Sequence, residues 1–246
     1  MTPHICYTIW FSQRVGSTLL CQLLASTGVA GSPGEWLDFS SIGALTDHYG
    51  TTDPIVLQEQ IWNAGLVNDV FGLKFGPHQP YFGQLLQTLR SFPGAKPEST
   101  PQEVWRSAFP NSRNIFLTRN DKVELAISWW KAIQTENWHR RIGDASPKTV
   151  EDDLTYSFDA IDHLRNEAME REALILEFIG GFTDCHLTLT YEDLVADPNE
   201  TVRRVLRYLD VEAGGPIGRI GYEKLADEHS REWVKRFNAQ QTKRLR

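Results

Sequence analysis

The chain has 246 residues, 41% of them apolar, with twelve Phe, eight Trp and seven Tyr, enough for one large buried α/β core. Its net charge of −7 argues against general nucleic-acid affinity, which calls for a positive surface, yet leaves room for a local cationic pocket. Three cysteines, at 6, 21 and 185, form no C-x-x-C and leave an odd count, which argues against a disulfide framework and for a reducing, cytoplasmic setting.

Tyr7–Phe11 is a short apolar run that reads as a strand. No basic leader precedes it, so a signal peptide is not expected. A polar turn with Arg14 and Gly16 follows, and Ser17 and Thr18 then open an apolar helix that runs to Thr27. Gly28 to Gly34 is rich in turn residues, and Glu35 to Tyr49 is polar and aromatic. A helix is expected from Asp53 or Pro54 to Ala64, and a second buried strand over Val70–Phe75. Residues 80–110 alternate helical patches with Pro and Gly, with a surface loop at 94–101. Asn114–Thr118 is a third strand, followed by a helix through Gln134. Val150–Ile179 reads as a long helix ended by Gly180 and Gly181, Cys185–Thr190 as a fourth strand, and Asn199–Leu209 as a last helix.

Short strands that are apolar on both faces, alternating with helices, predict a three-layer α/β fold. A central, mostly parallel sheet of four to five strands would be covered by helices on both faces, in a P-loop-like arrangement. No linker or repeat interrupts the chain, so one domain over 1–246 is expected. No run reaches the roughly 18 apolar residues of a membrane helix, and no stable membrane insertion is expected. Residues 231–246 carry six basic side chains against one acidic, which suggests a solvated, partly frayed terminus or else a flap near an anion site.

A strand that breaks into a small-residue turn and then a helix N-terminus is an anion cradle, because free N–H groups and the positive end of the helix dipole converge there. Gln13 to Leu19 supply it: Gln13, Arg14, Val15, Gly16, Ser17, Thr18 and Leu19. The loop is not a Walker A sequence, since Gly16 is followed by Ser17 rather than lysine. It is not G-x-G-x-x-G, and Cys6 lies too far from Arg14 for a cysteine phosphatase loop. A second anion site is suggested by Arg119 at the carboxyl end of a strand and Ser128 nine residues later on the next helix. A planar guanidinium fork and a hydroxyl suit a phosphate dianion.

A basic residue two before Gly and then Ser-Thr resembles the 5′-phosphosulfate loop of the sulfotransferases, and the Arg119/Ser128 pair resembles their 3′-phosphate site. The runs Arg14–Leu20, Thr27–Gly31, Glu35-Trp36, Leu117–Val123, Ser128-Trp129-Trp130 and Tyr191–Leu194 are similar to the bacterial trehalose 2-sulfotransferase family. Gln13 stands where that loop commonly has proline, and Val15 where it commonly has serine. The resemblance implies a co-substrate, 3′-phosphoadenosine 5′-phosphosulfate (PAPS), no metal, a small carbohydrate acceptor such as trehalose, and a homodimer. It also implies a general base at Glu35, with His78 as the rival because other branches place a histidine there. Arg14 would carry charge stabilisation.

Lys74 ends the second strand, where it either neutralises sulfuryl oxygens or snorkels from a sheet edge. Trp36 and Asp38 are the candidate acceptor contacts, and Trp62, Trp129, Trp130 and Trp138 are further aromatics that read mainly as packing. Arg219, Lys224 or the basic tail would add a late contact to the 3′-phosphate. Two other readings of the cradle stay open at this level: a nucleotide phosphotransferase, and a nucleotide-binding module without turnover.

Overall fold

The computed structural model describes residues 2–136, 138, 154–212, 217–218 and 228–244. Five strands form one sheet: β1 (Ile5–Phe11), β2 (Leu66–Val67), β3 (Val70–Phe75), β4 (Ser112–Thr118) and β5 (Leu187–Thr190). Their order is β2-β3-β1-β4-β5, with every pairing parallel except the antiparallel β2–β3 edge. The expected mostly parallel sheet is therefore present. Side chains of a strand alternate between its faces, and β1 divides accordingly. Tyr7, Ile9 and Phe11 enter one core, and Cys6 and Trp10 the other.

Helices cover both cores, as expected for a three-layer fold. The first core is closed by α1 (Ser17–Ser26), α6 (Lys122–Thr135), the first half of α7 (Phe158–Gly180), α8 (Tyr191–Ala196), α9 (Pro198–Leu209) and α10 (Glu228–Arg244). The second is closed by α2 (Ile42–Tyr49), α3 (Pro54–Gly65), α4 (Tyr81–Leu89), α5 (Pro101–Ala108) and the end of α7. There Trp10 meets Trp105 with centroids 4.8 Å apart and Phe178 at 5.2 Å, and its indole N–H donates to Asn114 Oδ1 at 2.8 Å. That bond satisfies the Trp10 indole donor inside a buried ring cluster. Among the described residues, no helix is long and apolar enough to cross a membrane.

Several boundaries differ from the sequence expectation. The polar segment 35–49 contains a helix, α2, started by the Ser41 side chain accepting from Ala44 N–H and ended at Gly50 with φ 66°. The long helix begins at Phe158, capped by Ser157, and residues 154–157 before it are not helical. Residues 150–153 lie outside the described residues, as do Arg219 and Lys224.

The frayed terminus is the clearest correction. Residues 228–244 form α10, with Trp233 and Phe237 buried against the first core. Phe237 stacks on Phe158 at 4.6 Å, and Trp233 meets Tyr156 edge-on at 5.7 Å. The basic residues lie on the outer side of the same helix, with Arg244 Nη1 on Asp159 at 2.8 Å and Arg236 over the Tyr156 ring. Because Phe237 is fully enclosed, Phe237→Ala should cost about 3–5 kcal/mol of unfolding free energy in a urea titration. A frayed tail would leave the unfolding midpoint unchanged.

Candidate active site

The site lies where β1, β3 and β4 end side by side. Register pairs Ile9 with Lys74 and Phe11 with Leu117, so the chain leaves β1 and β4 in step. After β1, the segment Ser12 to Gly16 turns sharply. Arg14 has φ 62° and Gly16 φ 81°, and α1 starts at Ser17. The N–H groups of a helix's first turn have no acceptor within the helix, and Gly16 has no side chain to cap them. A Cβ on Gly16 would stand 3.0 Å from Tyr191 Cδ2 and 3.3 Å from Leu194 Cδ2. The loop is thus closely roofed by α8, and its glycine is required both by φ and by space.

Arg14 is directed across the sheet edge. Its Nε donates to Ser128 Oγ on α6 at 3.1 Å, and its Nη1 donates to the Trp138 carbonyl. Burial and the neighbouring Arg119 guanidinium both push the Arg14 guanidinium below its ordinary pKa, while Tyr191 draws it up. Arg119, the residue after β4, is buried. Its Nη2 pairs with Glu124 Oε2 at 2.6 Å, its guanidinium lies 4.5 Å over the Tyr191 ring, and its Nε has no hydrogen-bond partner among the described residues. The structure therefore brings Arg14, Arg119 and Ser128 into one cationic cluster. Gln13 is partly buried beside it, Val15 is fully buried in the core below, and Leu19 packs on that core from α1.

A second group forms around Lys74. This lysine sits on β3, an internal strand, and is buried, so it is not a snorkelling edge residue. Its Nζ donates to Thr18 Oγ1 at 2.9 Å and pairs with Glu35 Oε1 at 3.0 Å. Glu35 reaches it because the preceding residue, Gly34, runs parallel to β3 and accepts from Lys74 N–H at 2.8 Å. Trp36 fixes that turn. Its indole N–H donates to the Gly72 carbonyl at 3.0 Å and the Ser32 carbonyl at 3.2 Å, and a Cβ on Gly34 would strike its ring. Its polar edge is thus turned inward and holds Glu35 in place.

Asp38 completes the group. Burial and the nearby Glu35 carboxylate push its carboxyl above the ordinary range, against the opposing pull of His78, Lys74 and Arg171. His78 follows β3, partly buried, and stacks on Tyr81 at 5.5 Å with the rings 20° apart. Tyr81 in turn donates to the Leu37 carbonyl at 2.7 Å. Glu35, Asp38, His78 and Lys74 thus share one electrostatic neighbourhood on the α2–α4 side of the phosphate-type loop. Of the remaining aromatics, Trp62 and Trp129 are buried, and the Trp62 and Trp130 N–H groups donate to backbone carbonyls of Ala108 and Thr155.

Two residues went unremarked in the sequence. Glu172 on α7 accepts from Ser12, Thr118 and Lys122, directly beneath the loop. Arg171 beside it lies 5.3 Å from the Trp129 ring and pairs with Glu167 at 2.5 Å. Neither belongs to a short motif: the Glu172 partners are distant in sequence, and Arg171 combines a local i,i+4 pair with a distant ring.

A family model described as Stf0 sulphotransferase matches residues 6–240. A trehalose 2-sulfotransferase of Mycolicibacterium smegmatis is 28% identical, covering 96% of this chain and 96% of that protein. A trehalose 2-sulfotransferase of Mycobacterium tuberculosis is 27% identical, covering 95% and 94%. Among solved structures, the sulfotransferase domain from the curacin biosynthetic pathway aligns with a TM-score of 0.46 at 17% identity, covering 85% of this chain and 75% of that one.

The tight roof over the loop gives a direct test. Gly16→Ala should cost about 1–2 kcal/mol for the left-handed conformation alone, with further loss from the Tyr191 contact. Gly16→Ala in a Tyr191→Ala background should recover the contact share but keep the conformational share. Equal destabilisation in both backgrounds, measured by chemical unfolding, would show that Tyr191 does not press on the loop.

Proposed function

The chain belongs to the Stf0 sulphotransferase family, and from that premise we propose that it moves a sulfuryl group from PAPS to a hydroxyl of a carbohydrate acceptor. Trehalose, or a glycan or glycolipid built on it, is the acceptor suggested by the names of the two mycobacterial relatives. The observation that carries the reading is the double contact of Lys74. One ammonium touches Thr18 on the anion loop and Glu35 on the acceptor side, which links the two halves of a transfer site.

The residues fit the nucleotide. Arg119 offers a buried Nε with no partner among the described residues, and Arg14 and Ser128 stand beside it, an arrangement suited to a phosphate dianion. The open N–H groups of the first turn of α1 suit the 5′-phosphosulfate end. PAPS supplies an activated sulfuryl group with a good leaving group, and the protein's task is then positioning and charge stabilisation in an in-line displacement.

Glu35 accepts the proton of the acceptor hydroxyl as its oxygen bonds to sulfur. The bond from sulfur to the bridging phosphate oxygen breaks, leaving 3′-phosphoadenosine 5′-phosphate and a sulfate ester. Arg14 and Lys74 meet the negative charge on the departing and equatorial oxygens. Glu35 is preferred to His78 as base because it already contacts Lys74, whereas His78 lies flat on Tyr81. Asp38, in the same electrostatic neighbourhood as Glu35, would hydrogen-bond an acceptor hydroxyl beside it.

Loss of a general base lowers turnover by about 10²–10⁴-fold. Glu35→Gln should show that loss in transfer from labelled PAPS to trehalose, while calorimetric affinity for 3′-phosphoadenosine 5′-phosphate stays within about threefold. His78→Ala should retain most turnover, and Arg119→Ala should lose the nucleotide affinity. If His78→Ala is the inactive variant, the base assignment is wrong. Preference of the native protein for ATP–Mg²⁺, or indifference to Arg119, overturns the PAPS reading itself.

A further inference from the structure

Resting on that PAPS reading, we infer that Glu172 is a positioning residue that sets the separation between the two phosphate-holding segments. Glu172 projects from the middle of α7 and is buried, and its carboxylate sits under the carboxyl ends of β1 and β4. Oε1 accepts from Ser12 Oγ at 3.0 Å, from Thr118 Oγ1 at 2.9 Å and from Lys122 Nζ at 2.7 Å. Oε2 accepts from Lys122 Nζ at 2.6 Å, and Lys122 Nζ also reaches Thr118 Oγ1 at 2.7 Å. Ser12 is fully buried, so its hydroxyl is turned entirely toward this contact.

The consequence lies in what those donors precede. Ser12 is two residues before Arg14, Thr118 immediately precedes Arg119, and Lys122 opens α6, which carries Ser128. One carboxylate therefore holds the roots of all three groups assigned to the nucleotide's phosphates. Ser12 and Glu172 are themselves buried, and the hydrogen bonds of Ser12, Thr118 and Lys122 named above are all made within this cage. A buried carboxylate is tolerated only when its lone pairs are filled, and here two hydroxyls and an ammonium fill them. Glutamine at this position would turn an N–H₂ group toward donors and open the cage on one side.

A ligand held at two points binds more tightly than one held at one only if the two points keep the right spacing. The test therefore compares the bis-phosphate, 3′-phosphoadenosine 5′-phosphate, with adenosine 5′-phosphate on the native chain, Glu172→Gln, Ser12→Ala and Thr118→Val. Glu172→Gln should weaken the bis-phosphate by about tenfold or more while changing the monophosphate by less than about twofold, since only the first depends on spacing. Glu172→Asp, which keeps the charge, should recover part of the loss. Ser12→Ala and Thr118→Val each remove one tie and should show the same selective loss in smaller measure, which decides the matter if Glu172→Gln does not fold.

Equal weakening of both nucleotides in the folded variants would mean a general structural role and overturns the inference. Unchanged affinity for both overturns it as well. Should the native chain fail to prefer the bis-phosphate, the PAPS reading falls first, and that outcome is distinguished by being visible before any substitution is made.

Discussion

Three parallel strands, β3, β1 and β4, end at one edge of the sheet, and their register decides which side chains face one another there. With Ile9 opposite Lys74 and Phe11 opposite Leu117, the lysine, the turn after Ser12 and the arginine after Thr118 come to lie in one row. A shift of one residue in either pairing would send Lys74 to the opposite face, or separate Ser12 from Thr118. The apolar alternation of β1 between two cores prevents that shift, since it would turn Trp10 and Ile9 into the wrong layers. The packing of the sheet and the chemistry of its edge are therefore one constraint seen from two sides.

Gathering cations in a protein of net charge −7 carries an electrostatic cost that the structure answers locally. Arg119 has Glu124, Lys74 has Glu35, and Lys122 has Glu172. Such partly buried pairs rarely add much stability, because desolvation offsets most of the attraction. Their value here is directional: each carboxylate fixes where a cation points. Arg14 differs in being held by neutral acceptors, Ser128 Oγ and the Trp138 carbonyl, with a second guanidinium nearby. Its charge is the one most in need of an anion, which agrees with its place beside the open end of α1.

Much of this was legible in the sequence where local chemistry carries the signal. Tyr7–Phe11, Val70–Phe75 and Asn114–Thr118 are apolar on both faces, and all three fall within observed strands. Helix α2 was also written locally, in Ser41 and Gly50, but its aromatic content masked the caps. Strand β2 is two residues long and exists only through its pairing with β3, so no pattern could announce it. In α10, Trp233 and Phe237 stand four apart on one face, a helical signal hidden by the basic residues around them. Glu172 was beyond sequence reasoning altogether: its partners lie 160, 54 and 50 residues away. Arg14, Arg119 and Ser128 were identifiable singly, yet that Arg14 would bond to Ser128 follows only from how β4 and α6 return beside β1.

The geometry also bears on why a glutamate rather than a histidine is suited to the proposed proton transfer. Glu35 meets the Lys74 ammonium through Oε1, which leaves its second carboxylate oxygen free to face an incoming hydroxyl. Because the same Lys74 ammonium is bound to Thr18 at the start of α1, any movement of the anion loop is felt at Glu35. A nucleotide that settles into the loop would thus draw on the contact that orients Glu35, the proposed base. Under the proposed function, binding at one end and deprotonation at the other would be coupled through a single buried side chain, on a strand with neighbours on both sides.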